Sequence, residues 1–177
     1  MSHQVDLDAA IRKIPDFPKP GILFYDITSV LMDPTVFTYC VERMVAPYRS
    51  EAVDLVAAVE SRGFLFGTPV ARELGVGTLL VRKSGKLPGE VYHREYELEY
   101  GTDSIEVHRA DLGAGRRVLI VDDLVATGGT LRAVADLIRE AGSTPVGLSC
   151  VIGLPDLNYR AKLEPLRVDT LIDYHGA

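Results

Sequence analysis

The sequence has only two cysteines in 177 residues, Cys40 and Cys150, far apart and neither in a Cys-x-x-Cys pair. That scarcity argues against a disulfide framework and a thiolate zinc site, and fits the reduced, structural thiols of a cytoplasmic protein. No run approaches eighteen apolar residues, and the opening MSHQVDLDAAIRKIP carries acids where an export signal needs an apolar stretch, so neither membrane insertion nor secretion is expected. Basic residues are outnumbered 19 to 25, giving a net charge of −6 and a pI near 5.2, and the chain lacks the basic footprint a nucleic-acid backbone requires. The four histidines, His3, His93, His108 and His175, have no metal-ligand spacing and read as solvated surface positions. No Ser-His-Asp arrangement, internal repeat, low-complexity tract or linker is evident.

What is present fits one α/β domain spanning residues 1–177. Apolar residues make up 47% and charged residues 25%, ordinary for a globular chain long enough to bury a core. Continuous apolar runs at 55–59, 78–81, 118–121, 146–151 and 168–172 predict about five buried strands of a mainly parallel sheet covered on both faces. Between them, Phe37, Cys40, Val41, Met44 and Val45 repeat with helical spacing, as do Leu131, Val134, Ala135 and Ile138, and Gly142 stands where a helix-ending glycine belongs. Strands alternating with helices imply an α/β sheet flanked by helices. Two stretches break that rhythm. Residues 14–33 hold Pro15, Pro18 and Pro20 and are expected to form a cap or extended arm. Residues 84–114 are polar and alternating, as in a solvent-exposed hairpin that serves as a functional lid.

The segment Val118 to Thr130, VLIVDDLVATGGT, sets two acids against a stretch suited to anions. Asp122 and Asp123 fall at the carboxyl end of a buried strand, where open α/β sheets bind ligands. Ala126 and Thr127-Gly128-Gly129-Thr130 then open a helix whose free N–H groups and dipole favour an anion, and the glycines allow close backbone approach. The pattern is neither a Walker A loop nor a dinucleotide G-x-G-x-x-G. Alone, Gly-Gly-Thr is most simply a turn with an N-cap. Paired acids beside an anion cup make sense when the ligand carries hydroxyls or a divalent cation one ribose length from its phosphate.

This long signature resembles the phosphoribosyl diphosphate (PRPP) motif of the type I phosphoribosyltransferases. Further stretches, PDFPKPGILFYDIT at 15–28, ESRGFLFG at 60–67, RKSGKLPG at 82–89 and LEYG at 98–101, narrow the resemblance to the adenine phosphoribosyltransferases, in the expected order along nearly the whole chain. The resemblance implies a type I phosphoribosyltransferase fold with a small hood, from 14–33 and the region near 153–160, and a flexible hairpin lid at 84–114. It implies purine salvage: adenine and PRPP give AMP and pyrophosphate with Mg²⁺, in a cytoplasmic homodimer without nucleic-acid or membrane partners. Thr127 to Thr130 with Ala126 would take the 5-phosphate. Asp122 and Asp123 would take the ribose and the metal, either directly or through PRPP and water. Ser61, Arg62 and Gly63, in a loop where relatives hold a cis peptide, together with Arg82, Lys83 and Lys86, would take pyrophosphate. Phe24 would stack on adenine, backbone around Ile22, Leu23 and Phe24 would contact the base edge, and Leu154 would close the other ring face. Glu99 and Tyr100 would form the lid over the reacting centre, with Glu99 exchanging a proton at purine N7 and Arg62 beside them in the catalytic set.

Taken singly these residues have plainer readings: Phe24 and Leu154 as core, Glu99 as surface, Ser61-Arg62-Gly63 as a turn, and the three basic residues as a solvated patch. Two positions depart from the family pattern, Tyr25 where many relatives have arginine and Gly153 where they have an acid, both expected to flank the base pocket. A xanthine, guanine or hypoxanthine phosphoribosyltransferase, or a non-catalytic PRPP-sensing regulator, stays open beside the adenine enzyme.

Overall fold

A computed structural model of the chain describes residues 5–98 and 101–176. Its centre is a seven-stranded mixed sheet in the order β5-β6-β4-β3-β7-β8-β9. The strands are β3 (Leu55–Val59), β4 (Gly77–Lys83), β5 (Val91–Leu98), β6 (Gly101–His108), β7 (Arg117–Val125), β8 (Thr144–Gly153) and β9 (Val168–Asp173). Five of them, from β4 through β9, run parallel, matching the five apolar runs of the sequence. A second, two-stranded sheet pairs β1 (Arg12–Pro15) with β2 (Leu23–Asp26) in antiparallel register.

Both faces of the large sheet are covered, and alternate residues along one strand serve different cores. Val118 and Ile120 of β7 face a cluster that includes Val134 and Ile138 of α6 (Gly129–Glu140), while Leu119 and Val121 face a cluster with Met44 of α3 (Pro34–Val45) and Phe66 of α4 (Gly63–Leu74). This double burial is why the strands read as unbroken apolar runs. α3 starts where Asp33 accepts hydrogen bonds from the N–H groups of Thr35 (2.9 Å) and Val36 (3.2 Å) with Pro34 at the first helical position, and α6 ends at Gly142, φ +78°. Shorter helices complete the chain: α1 (Leu7–Ala10), α2 (Thr28–Met32), α5 (Arg109–Leu112) and α7 (Tyr159–Leu163). Cys40 and Cys150 are buried, unpaired and in different clusters, and burial pushes the Cys40 thiol up to about 12.

The chain leaves β3 through α4 to reach β4 on one side, and leaves β7 through α6 to reach β8 on the other. The order therefore reverses between β3 and β7, the switch point at which open α/β sheets hold ligands beyond their carboxyl ends. The proline-rich arm is a hairpin rather than a loose extension: Ile14 pairs with Phe24 and Pro15 with Leu23, and the connection contains a cis Phe17–Pro18 bond. The 84–114 stretch also differs from a wholly solvent-exposed excursion. Its β5–β6 hairpin adds to the main sheet through Arg82↔Glu106 and Lys83↔Ile105, and Ile105, Val107 and Leu112 are buried. Alternation there reflects an edge with one covered face. No helix among the described residues is long and apolar enough to cross a membrane.

Candidate active site

Two helices aim free N–H groups at the switch point. α6 begins after Gly128, which holds φ +79°, and no side chain caps its first turn. α4 begins after Arg62, also without a side-chain cap. Each N-terminus carries unsatisfied backbone donors and the positive dipole end, so each is a seat for an anion at the carboxyl edge of adjacent strands. The seat at α6 is a cup of about 130 Å³ lined by Asp122, Leu124, Ala126, Thr127, Gly128, Gly129, Thr130 and Leu131. Wider hollows of about 420 Å³ beside Arg139 and Arg167 and about 490 Å³ beside Asp6 and Tyr39 lie away from both N-termini.

The seats are close because Gly63 has no side chain. A Cβ there would lie 2.9 Å from Asp122 Oδ1 and 3.0 Å from the Val121 carbonyl oxygen, so the start of α4 rests directly on β7. Asp122 Oδ1 accepts a hydrogen bond from the Asp123 N–H at 2.8 Å, and Asp123 Oδ2 lies 2.8 Å from Arg62 Nε. Burial pushes the Asp122 carboxyl well above the usual carboxylate range, with the neighbouring Asp123 charge adding to it. Burial also raises Asp123, against the opposing pull of Arg62. Two adjacent desolvated acids, one of them paired with the Arg62 guanidinium, favour a ligand that brings hydroxyl donors or positive charge.

Arg62 also lies over the Phe24 ring, 5.7 Å from guanidinium carbon to ring centroid. Phe24 meets Phe17 edge-to-face at 5.1 Å, and Phe17, Ile22 and Leu23 are exposed. These apolar groups form an open margin beside the acids, suited to a flat ring. Leu154 is 8% exposed and packs in the α3-side core, so most of its surface supports the fold.

The basic residues of the 82–86 turn are engaged with acids of the chain itself. Glu60 accepts from Arg82 Nε (3.2 Å), from the Lys83 N–H (2.9 Å) and from Lys86 Nζ. Burial opposes its ionisation, but the bonds from Lys86, the Lys83 amide and Arg82 outweigh it and hold the Glu60 carboxyl at about 2. Lys83 pairs instead with Asp103 on β6 at 2.9 Å. Glu106 accepts from Ser84 Oγ (2.7 Å) and the Gly85 N–H (3.0 Å), fixing the turn from the other side. Ser61 is exposed, and the Glu60–Ser61 peptide is cis.

The β5–β6 hairpin reaches the phosphate-type cup. Thr130 Oγ1 donates to Tyr96 Oη at 3.3 Å, and Arg94 pairs with Asp136 (3.2 Å) and Glu140 (3.4 Å) on α6. Glu99 and Tyr100 lie outside the described residues. Sequence reasoning missed Glu60 and Tyr96. Glu60 had a signal, an acid directly before Ser61 in a stretch assigned to anions; Tyr96 had none, since its contact spans 34 residues to Thr130. Among the described residues no group of three or more His, Cys, Asp or Glu side chains could hold a metal.

A family model described as Phosphoribosyl transferase domain matches residues 41–175. The chain belongs to the phosphoribosyl transferase family. It is 54% identical over 168 residues to the adenine phosphoribosyltransferase of Treponema denticola, covering 95% of this chain and 88% of that one. Identity to the adenine phosphoribosyltransferase of Acaryochloris marina is 49% over 170 residues, 96% of this chain and all of the other. Among solved structures, adenine phosphoribosyltransferase from Thermoanaerobacter pseudethanolicus superposes with a TM-score of 0.92 at 48% identity, covering 96% and 98% of the two chains. The Giardia lamblia enzyme complexed with 9-deazaadenine gives a TM-score of 0.90 at 37% identity, with 97% of each chain covered.

The two positions expected to flank the base pocket, Tyr25 and Gly153, both pack against the interior of the fold. Tyr25 is 6% exposed and stacks on Tyr174, with ring centroids 4.0 Å apart and planes 12° apart. It belongs to the core beneath the β1–β2 hairpin, in the cluster that also holds Leu154. At Gly153 a Cβ would collide with the Asp173 carboxylate and stand 2.6 Å from Tyr159 Oη. Asp173 occupies that space from β9, accepting from Thr170 Oγ1 at 2.7 Å and pairing with Arg160 at 3.2 Å.

Proposed function

We infer that this phosphoribosyl transferase is an adenine phosphoribosyltransferase, moving the 5-phosphoribosyl group from PRPP to adenine and releasing pyrophosphate. The observation that carries this reading is the pair of uncapped helix N-termini on either side of two buried acids, in a chain whose close relatives bear that name. In the reaction the adenine N9–C1 bond forms as the bond from C1 to the pyrophosphate oxygen breaks, with positive charge growing on the ribose between them.

Each part of the site has a task matched to its chemistry. The amides of Thr127 to Thr130 hold the 5-phosphate. Asp122 and Asp123 accept from ribose hydroxyls and stabilise the cationic sugar. The α4 N-terminus at Ser61, Arg62 and Gly63 receives pyrophosphate together with Arg82, Lys83 and Lys86, which exchange their internal acids for it. Phe24 offers a ring face to adenine, the Ile22 to Phe24 backbone its edge contacts, and Leu154 the opposite apolar wall. Glu99 is assigned the proton at N7, with Tyr100 beside it in the closed lid; closure excludes the water that would hydrolyse the activated sugar. Asp122 and Asp123 would form the protein side of a Mg²⁺ site, since carboxylate oxygens are the ligands that ion takes. When bound, the ion neutralises charge on the departing pyrophosphate. A homodimer and a cytoplasmic location complete the proposal.

The test is nucleotide formation, followed by chromatography, with PRPP, Mg²⁺ and adenine, hypoxanthine, guanine or xanthine in parallel. AMP from adenine alone is the expected result. Nucleotide from a 6-oxopurine instead would overturn the base, and no nucleotide with any base would favour a PRPP-sensing regulator.

A further inference from the structure

A cup that contains Asp122 has to hold a phosphate monoester, whose charge near pH 7 is about −1.5 to −2. The α6 dipole contributes roughly half a positive charge, and within the loop Thr130 spends its hydroxyl on Tyr96. A further cation stands beside the loop. The short helix α7 packs against it: a Cβ on Gly128 would lie 3.2 Å from Leu163 and 3.3 Å from Tyr159, both fully buried, so the two surfaces touch. One residue before Leu163, Lys162 turns the other way. Its Nζ lies 3.6 Å from where a Cβ on Gly129, a residue of the cup wall, would be.

Two features make this placement more than a chance surface lysine. Arg132 Nη1, one turn into α6, donates to the Lys162 and Glu164 carbonyl oxygens at 3.2 Å each, tying the backbone of α7 to the helix that carries the loop. And among the described residues Lys162 has no carboxylate partner, in a chain where Lys13, Lys83 and Lys86 all have one. Arg132 itself is committed to Asp136 and to those carbonyls.

We propose that Lys162 is a phosphate-binding residue, its ammonium pairing with the 5-phosphate of PRPP and AMP held by Thr127 to Thr130. This rests on the reading of that loop as the 5-phosphate seat. The lysine acts as a point charge at the rim, offsetting the repulsion of Asp122, and touches neither the base nor the pyrophosphate. The plainer role, a basic residue complementing the last turn of α7, would affect stability and leave ligand affinity alone.

The experiment compares wild type, Lys162→Met and Lys162→Arg. For Lys162→Met, KM for PRPP and the inhibition constant of AMP rise about tenfold, the scale of one charge-assisted hydrogen bond at an exposed rim. Changes in kcat stay within about twofold, and KM for adenine and inhibition by pyrophosphate hold steady. Lys162→Arg recovers most of the loss. Calorimetric titration with ribose 5-phosphate, free of turnover, shows the same order of affinities. An unchanged KM for PRPP in Lys162→Met, or equal weakening of AMP and pyrophosphate, overturns the proposal, as does a loss of melting temperature without a loss of affinity. Wild type that forms no AMP at all defeats the functional reading itself, whereas wild-type turnover with an indifferent Lys162→Met defeats only the lysine.

Discussion

Replacing Glu60 by glutamine removes the charge on which Arg82, the Lys83 amide and Lys86 converge, while leaving an oxygen of the same size. The carboxyl is held at about 2 against an ordinary 4.5, which sets a ceiling of about 3 kcal/mol for its contribution to folding. That ceiling is not reached. The Glu60 side chain is only 10% exposed, but Lys86 is 47% and Arg82 30% exposed, so solvent screens both partners and about 1–2 kcal/mol remains. For a domain of this size that corresponds to a melting temperature lower by about 3–6 °C at about pH 7. The pH dependence supplies the check. A carboxyl depressed in the folded state contributes stability that is full above its unfolded value, near 4.5, and is lost as pH falls through its folded value, about 2. Urea unfolding of wild type and Glu60→Gln should therefore show a gap nearly intact at about pH 5 and more than halved by about pH 3. A gap that is absent near neutrality, or that widens on acidification, would refute the view that Glu60 is the internal counter-ion of the 82–86 turn.

The acids of the cup behave in the opposite sense. Burial raises Asp122, so its charge costs stability above the folded value and the cost fades toward acid; Asp122→Asn should melt higher than wild type near neutrality, converge with it in acid, and lose PRPP turnover. Equal or lower melting near neutral pH would contradict this. Gly63→Ala drives a methyl to 2.9 Å from Asp122 Oδ1, against backbone as well, and should cost about 1–3 kcal/mol in denaturant unfolding together with most activity; a fully active, equally stable variant would sink the close-approach argument. Phe24→Ala should raise KM for adenine by about five- to thirtyfold with KM for PRPP little changed, and steady-state kinetics with each substrate varied would expose an error if PRPP suffers equally.

The parallel strands were readable because each is buried on both faces, leaving runs such as Val118 to Val121 that need no alternation to be recognised. The helices α3 and α6 announced themselves through spacing, and the turn into α6 through Gly128 and Gly129. What was hidden depends on long-range pairing. Tyr25 follows Phe24 in the chain, but strand pleat sends the two to opposite faces, and only the fold brings Tyr174 beneath Tyr25. Glycine at 153 makes sense only once β9 delivers Asp173 to the same space. The hairpin at 91–108 looked detached because its polar face dominates the sequence, whereas Ile105 and Val107 bind it to the sheet.

The two hairpins are attached in different ways, and this bears on how each can change in evolution. The β1–β2 hairpin shares a core with α3, β8 and the chain end: Tyr25, Ile27, Met44, Leu154 and Tyr174 pack as one cluster. Altering the β1–β2 hairpin therefore means resizing an interior, and compatible changes must arise together at positions far apart in the gene. The β5–β6 hairpin joins at a sheet edge, through two register pairs to β4, ion pairs from Arg94 to α6 and the burial of Ile105 and Val107. A recombination that exchanged only that segment would have to preserve the residues facing β4 and α6, so this hairpin is tied to the rest of the gene through one strand edge and one helix.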